Sequence, residues 1–110
     1  MKLKICGMKY PDNIREVSQL LPDYMGFIFC EQSSRFFDGE IPQLPQSIQK
    51  VGVFVNATLD TILSKIEKYN LNVIQLHGNE SASFCLNLKQ ESKNLKQPPI
   101  EIIKVFSILD

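Results

Sequence analysis

The sequence lacks the features that mark several classes of protein. Twelve basic and twelve acidic residues leave no net charge, so nothing predicts a general electrostatic attraction to nucleic acid or to an anionic membrane. No apolar run approaches the roughly 20 residues that cross a bilayer. A charged strand starting at Lys2 argues against a signal peptide. The composition therefore predicts no nucleic-acid partner and no membrane partner.

The cysteines and glycines also lack the spacings that mark known motifs. The three cysteines, Cys6, Cys30 and Cys85, are an odd number with wide spacings, which predicts neither a disulfide framework nor a zinc site. A reducing cytoplasm is the expected location. The glycine-rich fingerprint of a dinucleotide fold is missing, because a single glycine, Gly7, follows the first strand.

The chain instead reads as alternating strands and helices within one domain, residues 1–110. Hydrophobic residues make up 44% and charged residues 22%, which is ordinary for a folded globular protein. Pro11, Thr58 and Ser81 each precede or open a segment with helical spacing of apolar residues. A fourth, irregular helix is expected near Pro42 and Pro45. The predicted strands are Lys2–Cys6, Tyr24–Phe29, Val51–Val55, Val73–His77 and Ile100–Ile108.

Consecutive βα units with short connections predict a parallel sheet. Several strands are continuous apolar runs, as expected of strands that are covered on both faces. From this pattern alone, a closed barrel and an open doubly wound sheet are both compatible with the sequence.

Candidate chemistry lies at the strand ends, where sites form in parallel α/β folds. Period-two alternation puts Cys6 and Lys4 on one face of the first strand. It also puts Gln75 and His77, the single histidine of the chain, on one face of the fourth. Arg35 follows the second strand, and arginine is well shaped to hold a carboxylate or phosphate. Together these residues predict a site at one edge of the sheet.

Five sequence blocks resemble phosphoribosylanthranilate isomerase in order and spacing. They are residues 4–8 (KICGM), 26–29 (GFIF), 34–36 (SRF), 51–56 (VGVFVN) and 75–80 (QLHGNE). The resemblance implies an α/β fold of the (β/α)₈ TIM barrel family. It also implies a cofactor-free isomerase of tryptophan biosynthesis, which rearranges the small-molecule substrate N-(5-phosphoribosyl)anthranilate to the 1-deoxyribulose isomer.

The resemblance also implies roles for individual residues. Cys6 matches the general base that removes the C2 proton of the sugar, and Arg35 matches an arginine that holds the anthranilate carboxylate. His77 and Gln75 match the polar end of the fourth strand, which lines the substrate pocket. Lys4 matches the lysine behind the base. A nearby cation can make a thiolate available at neutral pH, and Lys4 is the candidate cation.

The family places its general acid at the sixth strand and its phosphate site after the seventh and eighth. The 110 residues are therefore expected to form about five strands and four helices of the barrel, with strands six to eight absent. Asp110 lies in the wrong block to replace the acid. The chain is expected to be inactive alone, and exposed sheet edges favour self-association.

Two other functions fit the residues. A cysteine hydrolase would use Cys6 as nucleophile and His77 as base, which requires the first and fourth strand ends to meet. A non-catalytic half-barrel would keep the fold as an interaction module. Each site residue also has a structural interpretation: a free cysteine is usually an inert buried thiol, and an exposed arginine is usually a solvated charge. Glu80 is interpreted as a cap or surface charge.

Overall fold

A computed structural model of the chain describes residues 2–95 and 97–105. Strands and helices alternate through most of this length, as the sequence predicts. The strands are β1 (Lys4–Cys6), β2 (Tyr24–Ile28), β3 (Gln49–Phe54), β4 (Val73–Leu76) and β5 (Glu101–Lys104). The helices are α1 (Pro11–Ser18), α2 (Leu59–Tyr69) and α3 (Ala82–Ser92). Residues 106–108 of the predicted fifth strand, and Asp110, lie outside the described residues.

The five strands form one parallel sheet in the order β1-β2-β3-β4-β5. A doubly wound sheet reverses its strand order at a switch point, and no reversal occurs among these five strands. Sequential order is the arrangement of a (β/α)₈ barrel. The observed topology therefore selects the barrel from the two arrangements that the sequence left open.

Helix ends are fixed by local hydrogen bonds that the sequence signals. Thr58 Oγ1 accepts from the Thr61 N–H at 3.2 Å, and Ser81 Oγ accepts from the Phe84 N–H at 3.0 Å. These side chains satisfy N–H groups that have no partner within the helix. Asn70 ends α2 in the left-handed conformation with φ of 55°, which asparagine tolerates better than most residues.

The segment between β2 and β3 contains no helix, so the prediction of a fourth helix is wrong. Pro42 and Pro45 each lack a backbone N–H and fix φ, which disfavours a continuous helix. The segment still covers the sheet, because Phe37 is fully buried and its ring lies 5.0 Å from that of Phe27. The Tyr69 hydroxyl donates to the Gly39 carbonyl at 2.7 Å and fixes the segment to α2.

The two faces of the sheet have different surroundings. On the outer face, the strands pack against the helices in the main hydrophobic core, which includes Met25, Phe54 and Ile74. The inner face carries a second, smaller cluster of Val51, Val53 and Val73. Within the described residues, β1 and β5 each pair on one side only. None of the helices described is both long enough and apolar enough to span a bilayer.

Candidate active site

The Cys6 thiol lies at the carboxyl end of β1, where the sequence predicts it. Cys6 pairs in register with Gly26 of β2, and its side chain is exposed. A methyl group added at Gly26 would lie only 2.8 Å from Cys6 Sγ. The thiol therefore occupies space that only a glycine on the neighbouring strand leaves open.

Arg35 packs against Gly7, the residue that follows Cys6 in the chain. Gly7 has φ of 82°, a conformation that glycine adopts without strain. A side chain there would clash with Arg35, whose Cδ lies 2.8 Å and Nη1 3.1 Å from the position of the missing Cβ. The Ser33 hydroxyl accepts from the Arg35 N–H at 3.1 Å and orders the loop. The guanidinium thus lies against the backbone of Gly7, the residue that follows Cys6.

Lys4 and Gln75 contact each other across the inner face. Lys4 Nζ donates to Gln75 Oε1 at 2.6 Å, although β1 and β4 are three strands apart. Neighbouring strands are about 4.8 Å apart, so a flat sheet would separate these strands by about 14 Å. The contact therefore requires the sheet to be strongly curved. Both side chains line a cavity of about 260 Å³ on the inner face, with the remaining lining formed by Lys2, Tyr24, Val51, Val73 and Ile103.

His77 is exposed and directly follows β4. Its N–H donates to the Phe54 carbonyl at 2.9 Å and continues the pairing with β3. In the part of the chain that the structure describes, no hydrogen bond joins the His77 ring to Cys6 Sγ. This arrangement gives no support to a cysteine–histidine hydrolase.

The sequence pattern did not predict the role of one side chain at the same edge of the sheet, the carboxylate of Glu80. The Glu80 side chain is only 2% exposed, so its interpretation as a surface charge is wrong; its carboxylate instead accepts backbone N–H groups at the strand ends. Burial raises the pKa of the Glu80 carboxyl, but backbone N–H groups of Asn56, Glu80 and Gly78, together with the Lys104 ammonium, lower it below its usual value overall. The carboxyl is therefore ionised at neutral pH. One signal in the sequence could have indicated its role: Glu80 lies three residues after His77, in the block of residues 75–80 that resembles the isomerase family.

The arrangement joins a thiol, a guanidinium and an imidazole at one edge of a curved sheet. Among the described residues, Arg35 forms no ion pair with a carboxylate, so its charge is available to an anionic ligand. An accessible thiol beside a cationic group can serve as a base or a nucleophile. The geometry fits a proton transfer on a small, negatively charged substrate.

Comparison with known proteins identifies the family. The profile described as N-(5'phosphoribosyl)anthranilate (PRA) isomerase matches residues 3–106. The chain belongs to this family. The curated N-(5'-phosphoribosyl)anthranilate isomerase of Phocaeicola vulgatus is 42% identical over 108 residues, and that of Parabacteroides distasonis is 44% identical over 115 residues. Each alignment covers 98% of this chain and 49% or 48% of the relative.

Solved isomerase structures share the fold. The crystal structure of phosphoribosyl anthranilate isomerase from Thermotoga maritima has a TM-score of 0.76 and 28% identity. It is matched over 94% of this chain and 49% of its own. Another isomerase structure, with the same TM-score and identity, was solved in complex with reduced 1-(o-carboxyphenylamino)-1-deoxyribulose 5-phosphate. These likenesses confirm the TIM-barrel fold class, and the chain spans about half the length of the isomerases it matches.

Proposed function

We propose that this chain carries the base and the carboxylate-binding residue of a phosphoribosylanthranilate isomerase. The substrate would be N-(5-phosphoribosyl)anthranilate and the product 1-(2-carboxyphenylamino)-1-deoxyribulose 5-phosphate. The contact that supports this most directly is the packing of Arg35 against Gly7, beside Cys6. This packing supports the proposal because it brings the Arg35 cation to the residue that follows Cys6, and the substrate carries a carboxylate close to its reacting carbon.

Each predicted residue then has a role. After ring opening, Cys6 takes the proton from C2 of the sugar, and a proton is returned at C1, so that substrate and product are isomers and no cofactor is consumed. Arg35 holds the anthranilate carboxylate. His77 contacts the substrate from the end of β4. Lys4 and Gln75, bonded to each other at 2.6 Å, form the polar floor of the pocket.

We expect the purified 110-residue chain to form no product from N-(5-phosphoribosyl)anthranilate. The resemblance places the general acid and the phosphate site on later strands of the barrel. Loss of a positioned acid alone lowers the rate by about 10²–10⁴-fold, and loss of the phosphate contacts lowers it further. The assay follows the fluorescence of the anthranilate group, and product formed by the chain alone would contradict this expectation.

A hybrid protein provides the positive test of the proposed function. Residues 1–105 of this chain would be joined to the second half of the P. vulgatus relative, which is 42% identical over the matched half. We expect this hybrid to convert the substrate, with the intact relative as the reference. A folded hybrid without turnover would overturn the proposal that this chain carries a working half of the site.

We also propose that the chain self-associates through its uncovered sheet. Ile103 lies on edge strand β5 and is 41% exposed on the apolar inner face, and uncovered edges promote pairing between chains. Sedimentation velocity should show association that increases with concentration and is weakened by Ile103→Lys. Leu86→Lys is the matched control, because Leu86 is exposed on α3. A monodisperse monomer at every concentration would count against this idea.

The expected location of the chain is the reducing cytoplasm. Cys6, Cys30 and Cys85 are all free cysteines in the structure, which is compatible with a reducing compartment. This location stays a prediction.

A further inference from the structure

The Glu80 carboxylate joins three strand ends outside the substrate pocket. Its Oε2 accepts from the Asn56 N–H at 2.8 Å, and its Oε1 accepts from the Gly78 N–H at 2.9 Å. Lys104 Nζ lies 3.4 Å from Oε1. Asn56 follows β3, Gly78 follows β4, and Lys104 ends β5. One buried charge therefore connects three successive strands.

Further bonds close this group around the turn after β4. Lys104 Nζ donates to the Gly78 carbonyl at 2.7 Å and to the Val105 carbonyl at 2.9 Å. Asn56 Oδ1 accepts from the Asn79 N–H at 2.7 Å. Both the N–H and the carbonyl of Gly78 are thus held by charged side chains. Such charge-assisted bonds are stronger than neutral ones, and more so in a buried setting.

These contacts fix the backbone on both sides of His77. Its own N–H donates to the Phe54 carbonyl at 2.9 Å, and the next N–H along the chain donates to Glu80. The backbone sets the direction of the Cα–Cβ bond and limits the rotamers that a side chain can adopt. The Glu80 side chain is 2% exposed, so a ligand in the pocket does not reach it. Glu80 can act on the ligand only through another residue.

We propose that Glu80 is a positioning residue, which holds the turn after β4 so that the His77 imidazole points at the ligand from a fixed place on the rim. The ligand contact of His77 rests on the proposed function; the fixed backbone position of His77 does not. Without the carboxylate, the Gly78 and Asn56 N–H groups lose their acceptor and the ion pair between Glu80 and Lys104 is lost. The turn then samples several conformations.

The test uses Glu80→Gln in the full chain. Glutamine has nearly the same shape, but it has no charge, and its amide nitrogen cannot accept the bond that one carboxylate oxygen accepts. His77 is the single histidine, so its ring resonances in proton NMR are unambiguous. We expect them to shift and broaden in the folded variant, while the resonances of the Tyr24 ring, at the opposite end of the sheet, stay in place. Glu67→Gln, at an exposed position on α2, is the matched control and should leave His77 unchanged.

A second variant and a ligand titration extend this test. If Glu80→Gln does not fold, Lys104→Met serves instead, because it keeps both N–H bonds to Glu80 and should produce a smaller change at His77. Reduced 1-(o-carboxyphenylamino)-1-deoxyribulose 5-phosphate is then titrated into the hybrid protein, which supplies the later strands, and into hybrids that carry these substitutions. We expect Glu80→Gln to weaken its binding about tenfold, and to have little further effect when His77 is already alanine.

The outcomes separate the two proposals. Unchanged His77 resonances in a folded Glu80→Gln chain would overturn the positioning role. Equal weakening by Glu80→Gln with and without His77 would also overturn it, since the effect would not pass through the imidazole. If the hybrid without these substitutions binds no ligand, the proposed ligand contact fails, while the NMR comparison in the chain itself still decides whether Glu80 fixes the backbone that carries His77.

Discussion

Cys6→Ser in the hybrid isomerase is expected to lower kcat by about 10²–10⁴-fold, the usual contribution of a positioned acid or base. A serine hydroxyl occupies the same place opposite Gly26 but does not ionise near neutral pH, so the site keeps its shape and loses its base. KM should change little, because Arg35 still holds the carboxylate. A loss confined to kcat indicates an interaction that acts in the transition state. Steady-state kinetics of the hybrid measures both constants.

Cys85 provides the control for this experiment. It is partly buried on α3 and packs against the main hydrophobic core, away from the strand ends that form the site. Cys85→Ser should leave kcat within about threefold of the parent hybrid, as expected of a packing position far from the chemistry. Full activity in the Cys6→Ser hybrid would show that some other group removes the proton, and the proposed mechanism would be wrong.

Gly78→Ala is expected to lower the free energy of unfolding by about 3 kcal/mol, at the upper end of what overpacking costs. The added methyl group would lie 2.5 Å from Asn56 Oδ1 and 2.8 Å from the Asn56 backbone nitrogen. A backbone atom cannot move aside as a flexible side chain does. The turn must therefore shift and weaken the bonds to Glu80. Urea unfolding measures the change as a lower midpoint at constant m-value.

Gly39→Ala is the matched control for this substitution. Its methyl group would meet the Phe37 ring at 3.8 Å, an ordinary van der Waals contact. The free energy of unfolding should change by less than about 1 kcal/mol, or rise slightly because the unfolded chain loses freedom. Equal destabilisation by both substitutions would show that the strand-end turn is not especially crowded.

Much of the fold was predictable because its signals are local. The apolar runs gave both ends of β1 to β4 and the start of β5 to within two residues, and Thr58 and Ser81 marked helix starts by the bonds they form. The segment between β2 and β3 was less predictable. Its burial depends on Phe37 packing against Phe27 and Tyr69, which are distant in sequence.

In the site, too, the features with local sequence signals were predictable, and those that depend on residues distant in sequence were not. Cys6 and Arg35 could be predicted as site residues because glycine and strand-end patterns accompany them, and the bond between Lys4 and Gln75 agrees with their predicted place on one face of the sheet. Curvature of the sheet was not readable, since it depends on how successive strands twist. Glu80 was misread because a glutamate in a loop is usually solvated. Its burial depends on Asn56 and Lys104, which are 24 residues away in each direction.

The sequential order of the strands has a consequence for synthesis on the ribosome. Each strand pairs with the one made just before it, so the loop that must close at each step is short and costs little entropy. The sheet can therefore grow by adding one strand at a time as the chain emerges, in the N-to-C direction of translation. Until a following strand arrives, the newest edge is the surface that a chaperone would have to shield.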